Sequence, residues 1–165
     1  MKRFITLFLP LAILLSSTSC KKTAPEISTG FYCKIDGKQW GTYSGDFKLR
    51  EAECKISDKG ASIFITAINS KTSEDFAIAV ISPGTAIVEG KYPLNSNKYF
   101  FGIYGNPVLG DFSTGNGYEG EIEITKIDKV KSRITGKFYF NCYNQKVNQS
   151  RSITEGTFNL LYTMY

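Results

Sequence analysis

The sequence predicts an all-β domain: a single antiparallel β-sandwich of about eight to ten strands, with a small closed β-barrel as the alternative. Three observations predict it. Short runs rich in Phe, Tyr, Ile, Val and Thr are separated by clusters of Gly, Asn, Asp, Ser and Pro. No stretch sustains a helical apolar period. Residues 133–142 alternate cleanly, with Ile134, Phe138, Phe140 and Cys142 on one parity and Thr135, Lys137, Tyr139 and Asn141 on the other, as a strand with one buried face requires.

Residues 1–19 read as an address and not as part of this domain. Lys2 and Arg3 lead into an apolar run over 4–15 and then into Ser17-Thr18-Ser19-Cys20. A charged start, a short apolar core and small residues are the anatomy of a secretory signal peptide, and the run is too short to span a bilayer. The Ser-Thr-Ser-Cys ending resembles the lipobox of bacterial lipoproteins. That resemblance implies that Cys20 becomes the lipidated first residue of the mature chain, acylated with chains such as palmitate. The expected location is the cell envelope, on the periplasmic or surface face of the outer membrane. Residues 20–30, with Pro25, Gly30 and few large apolar side chains, read as a flexible tether, and the β-domain occupies 31–165.

The elements of that domain follow in order. Runs 31–35 and 39–43 flank Asp36-Gly37-Lys38, a hairpin turn signal because Asp and Gly tolerate positive φ. Residues 47–56 lead into the turn at Ser57-Asp58-Lys59-Gly60 and on to 61–68; the apolar phase changes between Leu49 and Ala52, which predicts a bulge. Residues 76–81 are apolar on both parities and predict a strand covered on both faces, ended by Pro83-Gly84. Residues 91–94 and 99–104 are further strands, and 107–117 reads as a longer loop with a short strand inside it. Residues 119–127, 133–142 and 153–162 close the chain with three well-marked strands. The last two align at an offset of 20 residues, Gly136 with Gly156 and Phe138 with Phe158. A Gly inside each predicts a bulge, a bend or close packing against a neighbouring side chain.

Phe31-x-Cys33-Lys34-Ile35-Asp36-Gly37-Lys38-x-Trp40, Gly90-Lys91-Tyr92-Pro93-Leu94, the 120–128 segment and the two Gly-x-Phe strands together resemble a group of uncharacterised lipoproteins of Bacteroidota, a domain of unknown function. The resemblance covers nearly all of the mature chain. It implies an all-β fold and an envelope location, and it carries over no catalytic residue.

Composition excludes several chemistries. The chain has no His, which removes Ser-His-Asp and Cys-His catalysis and His-ligated zinc or copper. Without residues 1–19 it carries 18 basic against 15 acidic side chains, scattered and without an arginine stripe, so nucleic acid is not an expected partner. Lys21 and Lys22 read as solvated residues beside the lipid. With Cys20 assigned to lipid, Cys33, Cys54 and Cys142 remain in a compartment where disulfides persist. Cys33 is in phase with Phe31 and Ile35, and Cys142 with Phe138 and Phe140, so both point at the core. Cys33–Cys142 is the preferred pair, and three buried free thiols are the competing reading.

Three constellations could carry function. Glu119, Glu121 and Glu123 form a row about 6.6 Å apart on one parity of a strand. That row suits a solvated strand face, or a carboxylate-dependent glycan hydrolase if a second acid lies across a cleft. Trp40 with Tyr43, and Tyr104 with Tyr118 around the long loop, are either core or an aromatic platform for a glycan or another small ligand. The final Leu-Leu-Tyr-Thr-Met-Tyr is the aromatic ending of a membrane barrel only if a lipid-facing band precedes it, and none does. The expectation is a lipid-anchored, non-enzymatic module that binds a ligand or an envelope protein, with no metal and no cofactor.

Overall fold

The computed structural model describes residues 29–42, 51–57, 59–95 and 99–165. Every regular element among them is a strand. In chain order they are β1 (Gly30–Ile35), β2 (Lys38–Gly41), β3 (Ala52–Ile56), β4 (Ser62–Ile68), β5 (Asp75–Ile81), β6 (Gly90–Leu94), β7 (Phe100–Asn106), β8 (Gly110–Ser113), β9 (Gly120–Asp128), β10 (Arg133–Asn144) and β11 (Gln149–Met164). Eleven strands exceed the eight to ten expected. The addition is β8, the short strand inside the 107–117 loop, which pairs back on β7 through Tyr104 opposite Phe112.

All eleven belong to one sheet, in the order β2-β1-β11-β3-β4-β5-β7-β8-β10-β9-β6 with β11 also paired to β10. The sheet folds over into a sandwich-like arrangement. One face holds β2, β1, β11, β10, β9 and β6, and the other β3, β4, β5, β7 and β8. Long β11 joins them: its 153–159 part pairs with β1, while Tyr162, Thr163 and Met164 run parallel to Cys54, Lys55 and Ile56 of β3. A strand that switches partners in this way is how a sandwich turns its corner. The far edge is joined by a single pairing, Tyr143 with Ser113.

Between the faces lies an aromatic core. Phe76 of β5 is 5.4 Å from Phe31 of β1 and 6.5 and 6.2 Å from Phe138 and Phe140 of β10, ring centre to ring centre. Offset and edge contacts at such distances add about 0.5–1.5 kcal/mol each to the burial term. The doubly apolar 76–81 run is covered only in part on its outer side: Ala79 is buried and stands in register between Phe64 and Phe101, while Ala77 and Ile81 are half-buried. The first hairpin closes through Asp36 and Gly37 at φ 48° and 80°, the left-handed pair that two-residue turns require. The bulge expected between Leu49 and Ala52 lies partly outside the described residues, as do residues 1–28 with the leader, Cys20 and most of the tether.

The two Gly-x-Phe strands are neighbours, and their repeat has a geometric reason. In the β10–β11 ladder Gly136 stands opposite Phe158 and Phe138 opposite Gly156. A Cβ on Gly136 would lie 2.3 Å from Phe158 Cζ and from the Glu123 carbonyl, and one on Gly156 would lie 2.6 Å from the Phe138 ring. Each ring lies over the glycine of the other strand. We expect Gly136→Ala to destabilise the domain by at least about 2 kcal/mol, since the backbone carbonyl cannot yield, whereas Lys137→Ala on the exposed parity stays within about 0.5 kcal/mol; urea unfolding midpoints measure both.

Candidate functional site

Trp40 and Tyr104, proposed from sequence as parts of an aromatic platform, are core residues, 6% and 2% exposed. Trp40 packs edge-on to Phe31 at 5.9 Å and to Phe76 at 4.7 Å. Their polar tips meet at one carboxylate: Trp40 Nε1 donates to Glu74 Oε2 at 3.1 Å and the Tyr104 hydroxyl donates to Glu74 Oε1 at 2.5 Å. Thr72 Oγ1 adds a third donor at 2.9 Å, and Asn106 Nδ2 donates to the Tyr104 oxygen at 3.1 Å. Burial pushes the Tyr104 phenol up to about 12, against the Asn106 hydrogen bond, which lowers it, and together with Glu74, which raises it further. Glu74 was not singled out from sequence. It stands 34 residues from Trp40 and 30 from Tyr104, and no local pattern links them. Nearby, Glu51 is buried and accepts from Ser70 Oγ on one oxygen, while Oε2 has no partner among the described residues.

Tyr118 is elsewhere. It stacks on Tyr143 at 5.0 Å and 9°, on the parity of β10 opposite to buried Cys142 and Phe140. Tyr43 lies outside the described residues. The structure therefore corrects the platform expectation: Trp40 and Tyr104 show no ring face to solvent, because both are needed to fill the sandwich, and Tyr118 does not join them.

Cys33, Cys54 and Cys142 are buried free thiols, so the Cys33–Cys142 pair is also corrected. Their shared inward parity was read correctly, but position along the strand decides. Cys142 stands opposite Arg151 of β11, whereas Cys33 lies between partners of Thr157 and Thr154. Several residues of β11 at about 3.3 Å each put the pair beyond the roughly 7 Å Cα limit of a disulfide. Burial raises all three thiols, Cys54 and Cys142 to about 12 and Cys33 further, with Glu74 adding to the effect. Thiols so shifted are not nucleophiles at neutral pH.

Glu121 and Glu123 lie on the outer parity of β9, and Glu119 stands just before the strand begins. Glu121 is ion-paired to Lys91 at 2.9 Å, and Glu123 stands in register between Lys91 and Lys137. This is a charged strand face with alternating signs. No group of three His, Cys, Asp or Glu among them is arranged to hold a metal.

A groove that the sequence did not signal opens at the end of the sandwich where β11 meets β3. Its volume is about 720 Å³, within the range of roughly 300–1,000 Å³ that holds small ligands. Ile56 and Ile63 from the β3–β4 hairpin, Ile87 from the 82–89 segment, Ile127 of β9 and Tyr162 of β11 give it an aliphatic and aromatic wall, with Lys59 and Lys129 also lining it. Glu89, on the same wall, accepts the Ile127 amide at 3.0 Å. Four separate segments build the groove.

The profile of DUF6252, a domain of unknown function, matches residues 45–161. The chain belongs to this family. No curated protein and no solved structure matches it. The DUF6252 match starts after the first hairpin, so Cys33 and Trp40 lie before it, while Glu74, Tyr104 and most of the groove lie within it.

The raised thiol and phenol values set an alkaline limit. An unfolded Cys loses its proton near 9.0 and an unfolded Tyr near 10.0, whereas the folded groups hold theirs toward about 12. The folded DUF6252 domain thus binds more protons above pH 9, and stability that is complete below pH 9 falls as pH rises toward 12. Melting temperatures are expected to decline over that window, and Cys33→Ala/Cys54→Ala/Cys142→Ala to flatten its onset. In a Cys20→Ser chain, Ellman's reagent should find no fast thiol at neutral pH and three after denaturation.

Proposed function

We propose that this protein is a membrane-anchored lipoprotein of the bacterial cell envelope, held through Cys20 in the outer membrane, whose DUF6252 domain is a non-enzymatic module that binds a small, largely apolar ligand in the end groove. The observation that carries the reading is the groove itself, a concave apolar wall of ligand-sized volume with lysines on its lining. The rest of the molecule supports binding over reaction. The chain has no imidazole, Cys33, Cys54 and Cys142 are buried and shifted up, Glu121 is ion-paired to Lys91, and Glu123 stands between Lys91 and Lys137. The leader with its Ser-Thr-Ser-Cys ending supports the anchor, and the motifs shared with Bacteroidota lipoproteins support the same location and source.

Two experiments test it. Radioactive palmitate should label the wild-type chain and not Cys20→Ser; equal labelling refutes the anchor. For the groove, an environment-sensitive apolar dye such as 1-N-phenylnaphthylamine should bind and brighten. Ala86→Trp, at an exposed position on the groove wall, should weaken it at least tenfold with an unchanged melting temperature. Dye binding equal to wild type in Ala86→Trp overturns the groove as the binding site.

A further inference from the structure

The tether enters the sandwich between the groove and the Asn69 turn: Gly30 stands three residues of β11 short of Tyr162, and its neighbour Tyr32 pairs with Gly41, whose carbonyl accepts from Asn69. β1 runs antiparallel to β11 with Gly30 opposite Asn159, so the chain enters β1 from the side toward which β11 runs, the side of Tyr162 and Met164. Cys20 stands nine residues before Thr29, a contour of at most about 30 Å at 3.3–3.6 Å per residue. An anchor at Cys20 therefore holds the start of β1 within that reach of the bilayer.

The groove end exposes four of the eight large apolar side chains that stand exposed among the described residues; Ile68, Val108, Tyr139 and Leu161 are the others. Val130, 95% exposed, lies between the groove-lining residues Lys129 and Ser132. Val88 and Met164 on the groove lining, and Tyr165 next to Met164 in the chain, are exposed too. The charges here are sorted. Glu89 accepts the Ile127 amide, and Asp128 accepts the Val130 and Lys131 amides and pairs with Lys126. Lys59, Lys129 and Lys131 have no carboxylate within 4 Å among the described residues. Glu89 and Asp128 are engaged by the domain's own backbone, by Lys126 and, through space, by Lys131, and Lys59, Lys129 and Lys131 are exposed. Valine and tyrosine side chains ringed by lysines suit an anionic bilayer surface, the apolar groups entering the headgroup layer and the lysines meeting phosphates.

We infer that the groove end of the domain is a membrane-docking surface for anionic phospholipid, with Val130 and Val88 as inserting side chains and Lys59, Lys129 and Lys131 as headgroup contacts. Docking would place the mouth of the groove at the bilayer. The inference rests on Cys20 as the anchor only for orientation, and it is tested without the lipid, so its failure and that of the anchor are separable.

The test is sedimentation with vesicles of the chain from residue 20 onward carrying Cys20→Ser. Wild type should bind vesicles of phosphatidylglycerol and phosphatidylcholine in equal parts, bind phosphatidylcholine alone far less, and be released by 0.5 M salt. Lys59→Gln/Lys129→Gln should lower partitioning about 25-fold, near fivefold per lysine, and Val130→Asp should lower it at least as much with an unchanged melting temperature. Lys38→Gln/Lys146→Gln, away from this end, should bind as wild type. The inference is overturned if the chain stays in the supernatant, if Val130→Asp binds like wild type, or if the Lys38 and Lys146 variant loses as much as the groove-end one. A chain that ignores vesicles yet forms a dimer dispersed by Val130→Asp would assign this end to self-association instead, and would equally overturn it.

Discussion

The exchange of rings and glycines between β10 and β11 is the constraint on which the rest of the sandwich depends. Phe138 lies over Gly156 and Phe158 over Gly136, so two large side chains share a strand pair that has room for them only because the facing residues have none. The Phe138 ring then reaches Phe31 of β1 at 4.6 Å and, across the sandwich, Phe76 of β5 at 6.5 Å. Long β11 also carries β1 on its other side and meets β3 at its end. Both strand pairings that join the two faces, β11 with β3 and β10 with β8, involve this strand pair.

A second set of ties is polar. Glu74, on the approach to β5, accepts from Trp40 of β2 and Tyr104 of β7, one on each face, and charge-assisted bonds of this kind are worth more than neutral ones. Asn69 in the same turn donates to the Gly41 carbonyl at 3.1 Å and accepts the Lys71 and Thr72 amides, so the turn is shaped and fastened to the end of β2 together. This closed, aromatic-capped end contrasts with the groove end. There the faces part where β11 crosses to β3, and the gap is lined by aliphatic side chains and Tyr162. Binding in that gap therefore asks nothing of the polar ties.

The strands were legible because the side-chain period of a pleated strand is local. Ile134, Phe138, Phe140 and Cys142 alternate with Thr135, Lys137, Tyr139 and Asn141, and the first group is buried as the alternation requires. The 107–117 loop was harder, since β8 is only four residues long and too short for a period. The Gly136 and Gly156 repeat was visible, but only the ladder showed that each glycine answers the other strand's ring. For Cys33 and Cys142 parity was right and distance was not, because parity is set by one strand and distance by the register of three. Trp40 and Tyr104 show the same limit: an aromatic residue fits a core and a platform equally well until its neighbours are known.

By itself, then, the sequence determined the all-β class, the inward set of each strong strand, the hairpin at Asp36-Gly37 and the exclusion of imidazole chemistry, all properties of single residues or of short periodic runs. The tertiary structure alone decided that Trp40 and Tyr104 share the Glu74 carboxylate, that the three thiols stand apart, and that Ile56, Ile87, Ile127 and Tyr162 meet around one groove. The physical reason is that each of these depends on which strands pair and in what register, and β1 beside β11 or β3 beside the end of β11 joins segments of the chain more than a hundred residues apart. Packing of the whole core selects such pairings, and no local pattern encodes them.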